Sequence, residues 1–231
     1  MSRAPRRAPG GFVFHVINRG VGRRQIFHKD EDFAAFERVM AYALDAEPVD
    51  LLAYCLMPNH WHLLLRPHRD GQLGRFMQRL TMTHTRRWQE HYHQVGVGHL
   101  YQGRFKSFPV QEDAHFLTVA RYIERNALRA GLAPQAQAWR WSSLWRRVGP
   151  GGDPSRAPLP LAVWPVEQSS DWLTWVNEPQ TQAEVEAIRQ SVSRGRPFGE
   201  ATWRQSTIKE LGLESSERPR GRPRKTREPS R

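Results

Sequence analysis

The stretch Leu51-Leu52-Ala53-Tyr54-Cys55-Leu56-Met57-Pro58-Asn59-His60-Trp61-His62-Leu63-Leu64-Leu65-Arg66 sets the frame of the chain. It holds two apolar runs of strand length, separated by a break at Pro58-Asn59. Val49 to Leu56 and His60 to Arg66 are the strands this pattern predicts. Side chains alternate faces along a strand, so His60 and His62 point the same way, about 6.6 Å apart at the backbone. Two imidazoles at that spacing can converge on one metal ion. Two histidines on the polar face of a strand are the ordinary structural alternative.

The same reading extends outward. Phe12 to Asn18 is short, β-branched and aromatic, and ends near Gly20, which predicts a first strand. Asp30 or Asp32 can cap a helix to about Ala46, with Phe33, Phe36, Val39, Met40 and Ala43 at helical spacing. Leu73 to about His91 repeats that spacing through Leu73, Phe76, Met77 and Leu80. A fourth strand is predicted over Arg104 to Val110. A helix from Ala114 to Ala130 follows, capped by Asp113 and ended by Gly131. The order β-α-β-β-α-β-α matches a ferredoxin-like split βαβ, an α+β fold with an antiparallel sheet and one added helix.

Residues 1–148 form the expected main domain. Gly149 to Pro160 carries seven Gly or Pro in twelve residues, which predicts a linker over 149–165. Short helices are expected near Asp171 to Val176, Gln180 to Val192 and Gly199 to Leu211, within an accessory region over 166–213. The tail 214–231 is basic, with a composition that cannot bury a core.

The chain has 231 residues and a formal charge of +12, which calls for a polyanionic partner. Nucleic acid fits better than a membrane, because no lipidation motif or long basic amphipathic helix is visible. The longest apolar run, Leu51 to Met57, is far short of a membrane span. No apolar h-region follows the N-terminal arginines, so a cytoplasmic, nucleoid-associated protein is expected. Cys55 is the only cysteine, which excludes an intramolecular disulfide and a cysteine-rich zinc finger. It reads as a small core residue.

A second cluster of chemistry lies in Arg121-Tyr122-Ile123-Glu124-Arg125-Asn126-Ala127-Leu128-Arg129-Ala130-Gly131-Leu132. Tyr122 and Asn126 are at i and i+4 on one helical face, and Arg129 continues it. A tyrosine hydroxyl, with an ordinary pKa of about 10, needs a cation or base beside it to become a nucleophile. Arg125 or Arg129, with a metal-bound phosphate, would supply that setting. Two histidines plus the Asn126 carbonyl make a mixed site with open positions. Such a site suits Mg²⁺ or Mn²⁺ acting on a phosphate. The bland alternative is a tyrosine packed on the sheet.

Taken together, these blocks resemble a known family. His60-Trp61-His62 is similar to the histidine-hydrophobic-histidine (HUH) motif of single-tyrosine transposases. Cys55 to Leu64, Tyr101-Gln102-Gly103-Arg104-Phe105-Lys106-Ser107, Arg121 to Leu132, and then Trp139, Trp141, Ser142 and Ser143 resemble successive blocks of the insertion-sequence transposase domain. More narrowly they resemble the REP-associated tyrosine transposases, over about residues 11 to 147. The resemblance implies that Tyr122 attacks single-stranded DNA to give a 5′-phosphotyrosine and a free 3′-hydroxyl. It implies that His60, His62 and Asn126 are the metal ligands, and that the target lies beside palindromic hairpins. Asn126 departs from the Gln usual in insertion-sequence members and shortens the reach by one methylene. A monomer is favoured over a homodimer, because the long C-terminal extension can cover a dimerisation face.

Further DNA contacts are expected from Arg104, Lys106, Arg125 and Arg129. The tail segment Pro219 to Lys225, through Arg220, Arg222, Arg224 and Lys225, resembles an AT-hook that reads an A·T-rich minor groove. Non-specific phosphate attraction is the competing role. Ser193-Arg194-Gly195-Arg196-Pro197 repeats its core and reads as a turn between helices. Trp139-Arg140-Trp141 can stack unpaired bases or pack the accessory helices. Two rival functions remain at this level: a catalytically silent DNA-hairpin-binding regulator, and a metallohydrolase that uses water.

Overall fold

The structure is a computed structural model, and it describes residues 7–149 and 159–218. Arg220, Arg222, Arg224, Lys225 and most of the predicted linker lie outside the described residues. Four strands form one antiparallel sheet: β1 (Val13–Arg19), β2 (Asp50–Met57), β3 (His60–Arg66) and β4 (Lys106–Val110). The order across the sheet is β2-β3-β1-β4. Helix α1 (Asp30–Ala46) links β1 to β2, and α2 (Gln72–His91) links β3 to β4. That is the split βαβ arrangement, with β3 inserted between β1 and β2.

Period-two alternation gives each strand two buried faces. One carries Phe14, Val16, Leu51, Tyr54, Leu56, Trp61, Leu63 and Leu65, and packs on α1 and α2. The other carries Val13, Ala53, Cys55, Met57, Leu64, Phe108 and Val110. It is covered by α3 (Ala114–Glu124), α4 (Asn126–Arg129), α6 (Trp172–Asn177) and α7 (Gln182–Arg194). A sheet buried on both sides explains why β2 and β3 read as nearly continuous apolar runs. Burial pushes the Cys55 thiol up to about 12, so it stays a neutral core group.

Asp113 caps α3 by accepting from the His115 N–H at 2.8 Å. The single helix predicted over Ala114 to Ala130 is two segments. At Arg125 a ψ of −7° opens the turn, and the coil resumes as α4. The fourth strand starts at Lys106, so Arg104 sits in the preceding loop. Asp32 anchors the start of α1, accepting from the His28 N–H at 2.7 Å. Gly195, in the left-handed region at φ 72°, ends α7. Arg194 to Pro197 is therefore the turn leading towards α8 (Ala201–Leu211). Helix α5 (Ser143–Val148) lies against β2. Among the described residues, no helix is long and apolar enough to cross a membrane.

One buried polar node ties α1, β2 and α5 together. Glu37 is fully buried, accepting from the Tyr54 hydroxyl at 2.7 Å and from Arg146 Nη2 at 2.8 Å. Removing one partner of a buried ion pair strands the other charge, at about 3–5 kcal/mol. Arg146→Ala is expected to lower the urea-unfolding free energy by that amount. A change below about 1 kcal/mol would show that water replaces the guanidinium.

Candidate functional site

The site forms where α3 crosses the histidine-bearing face of β3. Register sets its members: β1 places Arg19 opposite His60, Ile17 opposite His62 and His15 opposite Leu64. His60, His62, His15 and Arg19 therefore share one face. The rings of His60 and His62 lie 5.0 Å apart, and Tyr122 lies 5.8 Å from His62, centroid to centroid. Tyr122 and Asn126 are both nearly buried. The structure thus brings together His60, His62, Tyr122, Asn126 and Arg129.

Each histidine of the pair has one ring nitrogen engaged. His60 Nδ1 lies 2.5 Å from Asn59 Oδ1, and His62 Nδ1 lies 2.8 Å from His15 Nε2. The Nε2 atoms are the remaining ligand positions. Burial pushes the His60 and His15 imidazoles down to about 3, and His62 well below its ordinary value. The positive charges of Arg19 and Arg129 push His60 and His62 in the same direction. Neutral imidazoles with a free nitrogen fit a divalent ion. No group of three or more His, Cys, Asp or Glu gathers as a metal set among the described residues. An ion held here would keep positions open for substrate oxygens.

Arg129 is the cation of the cluster. Its guanidinium lies 4.2 Å from the Tyr122 ring centroid, and its Nη2 donates to Asn126 Oδ1 at 2.6 Å. The carbonyl expected to be a third ligand is therefore engaged by a side chain. Arg125 is placed differently from the expectation that it contacts DNA. Its Nη1 donates to the Val176 carbonyl at 3.0 Å and also to that of Asn177, at the C-terminal end of α6. Arg121 does the same for Trp175 and Glu178. Both arginines serve the orphan carbonyls of a helix end.

Arg104 and Lys106 line a groove of about 330 Å³ with Ile17, Asn18 and Arg19. That groove adjoins His60 through Arg19. A larger groove, about 1070 Å³, runs along α2 and shares Asn18 and Arg104 with the first. Neither groove is lined by Tyr122, but only the smaller one includes Arg19, the strand neighbour of His60. Trp141 is buried with its ring stacked on Phe33 at 5.1 Å, and its indole N–H donates to Asp30 at 3.2 Å. Trp139 is partly buried, edge-on to Phe33 at 5.9 Å, and its indole N–H donates to the Leu56 carbonyl at 2.8 Å.

His15 and Arg19 were not singled out by sequence reasoning. The alternation Val13, His15, Ile17, Arg19 carried the signal. It becomes readable once β1 is known to lie beside β3.

A basic chain that sets a tyrosine against a histidine pair defines a class, the enzymes that act on nucleic-acid phosphates. Residues 11–126 match the family described as Transposase IS200 like, a match over half the chain that takes in every residue of the cluster except Arg129. The chain belongs to the IS200-like transposase family, enzymes acting on DNA. Among solved structures, it is similar to one described as "Structure of the REP associates tyrosine transposase bound to a REP hairpin". The identity is 18% and the TM-score 0.48, over 79% of this chain and 100% of that one. No curated protein matches the chain.

Proposed function

We propose that the protein is a metal-dependent single-stranded DNA endonuclease and strand transferase, acting beside palindromic hairpins of the REP type. The observation that carries the reading is Tyr122 lying 5.8 Å from His62, in the same cluster as His60 and Arg129. The Tyr122 oxygen attacks the scissile phosphorus. The bond to the 3′-oxygen breaks, giving a 5′-phosphotyrosine and a 3′-hydroxyl that takes up a proton. Arg129, held against the tyrosine ring, favours the developing phenolate. His60 and His62 would hold the ion, Mg²⁺ or Mn²⁺, which supplies Lewis-acid neutralisation of the phosphate when bound. The phosphotyrosine conserves the phosphodiester bond energy, so the 3′-hydroxyl can reverse the step and rejoin strands.

Arg104, Lys106 and Arg19 would guide the DNA backbone along their groove. Arg220, Arg222, Arg224 and Lys225 would add phosphate or minor-groove contacts. Tyr122 reaches the histidine pair of its own chain, which favours a monomer that needs no exchange of the tyrosine helix. Residues 1–148 would carry the chemistry, with the helices of 166–213 as its cover. A DNA substrate places the protein in the cytoplasm at the nucleoid.

The deciding experiment incubates the full chain with a labelled single-stranded hairpin and Mn²⁺, then resolves products under denaturing conditions. A covalent protein–DNA adduct is expected. Free ends without an adduct would instead indicate hydrolysis by water. Binding without any product would indicate a hairpin-binding regulator.

A further inference from the structure

The carbonyl of Asn126 is taken, and what it leaves unpaired is its amide N–H₂. A guanidinium has only donors, so the Asn126 atom 2.6 Å from Arg129 Nη2 must be the oxygen. Turning the amide to offer that oxygen to a cation would set two donors against each other. One donor on each residue of the pair then remains unpaired. Asn126 Nδ2 and Arg129 Nη1 are both buried, and neither has a partner among the described residues. Each unpaired buried donor costs about 1–3 kcal/mol. Asn126 itself is 3% exposed, so solvent does little to relieve that cost.

Two orphan donors beside a tyrosine ring are complementary to an anionic acceptor and hostile to a cation. We propose that Asn126 and Arg129 form a phosphodiester clamp, each donating to a non-bridging oxygen of the phosphate that Tyr122 attacks. Asn126 is then a phosphate-binding residue and not the third metal ligand. This rests on the reading of Tyr122 as the attacking residue. The clamp also accounts for an Asn at this position. The shorter side chain keeps its oxygen on Arg129, one turn along the same helix, while its nitrogen stays unpaired. It implies that bound DNA strengthens ion binding, because the phosphate neutralises Arg129 beside the two histidines.

The test separates anion binding from metal binding. A Tyr122→Phe background prevents covalent capture, and anisotropy with a labelled single-stranded hairpin is read in EDTA. Mn²⁺ binding without DNA is measured separately by calorimetry. Asn126→Ala is expected to weaken metal-free DNA binding about tenfold while leaving Mn²⁺ binding unchanged. Asn126→Asp keeps the acceptor for Arg129 and the side-chain volume. It serves if the alanine variant fails to fold, and is expected to weaken metal-free DNA binding further. Unchanged DNA affinity in EDTA overturns the clamp. If Mn²⁺ binding weakens as well, Asn126 is a metal ligand after all. Neither arm needs the tyrosine hydroxyl, so a failure of the strand-transfer reading shows separately, as a wild-type protein that forms no adduct.

Discussion

Tyr122→Phe is expected to abolish covalent attachment to DNA and to leave non-covalent hairpin binding within about twofold. The substitution removes one oxygen and keeps the ring, its contact with His62 and the Arg129 guanidinium 4.2 Å away. Ring packing supplies the burial term, so the fold should tolerate the change. The chemistry should not, because a covalent step has no substitute nucleophile of matching position. Losing such a group typically costs at least about 10³-fold in rate. Denaturing gels after incubation with Mn²⁺ read the adduct, and anisotropy reads binding. Cleavage at the wild-type rate by the phenylalanine variant would sink the nucleophile assignment. Cleavage without an adduct would move the reaction to water held in the same cluster.

The strand pattern was legible because both faces of the sheet are buried. Val49 to Leu56 and His60 to Arg66 read as strands from apolar content alone, and Pro58-Asn59 marked the turn. The convergence of His60 and His62 followed from period two. Tyr122 and Asn126 followed from the helical i, i+4 relation, which survives the kink at Arg125. What sequence could not supply was side-chain direction across elements. Arg125 and Arg129 lie four apart in one helical stretch and carry the same charge. Yet Arg125 turns to the carbonyls at the end of α6, and Arg129 turns to Tyr122 and Asn126. The difference depends on where α6 docks, some fifty residues on, and no local pattern encodes that. His15 was hidden for a similar reason. A lone histidine between Phe14 and Val16 looks like core until strand pairing places it on the His62 face.

His15 makes the histidine pair a three-residue problem, and the largest metal-linked effect follows from it. His62→Ala is expected to eliminate metal-stimulated cleavage and to weaken Mn²⁺ binding by at least about a hundredfold, since half of the imidazole set is lost. His60→Ala should do the same. His15→Ala should weaken Mn²⁺ binding by about 10–100-fold without removing a ligand. With His62 Nε2 as the lone pair offered to the ion, Nδ1 carries the proton and donates to His15 Nε2 at 2.8 Å. That bond fixes both the tautomer and the plane of the ring. The stacked contact of the two rings, 5.1 Å between centroids, holds the same orientation. Calorimetry with Mn²⁺ on the DNA-free protein reads all three variants, with thermal melting to confirm folding. Metal-dependent cleavage undiminished in both His60→Ala and His62→Ala would defeat the metal reading. Loss in those two with His15→Ala unchanged would keep the pair as ligands and show that His15 is not needed to set the ring of His62, which would then rest on its own contact with Tyr122.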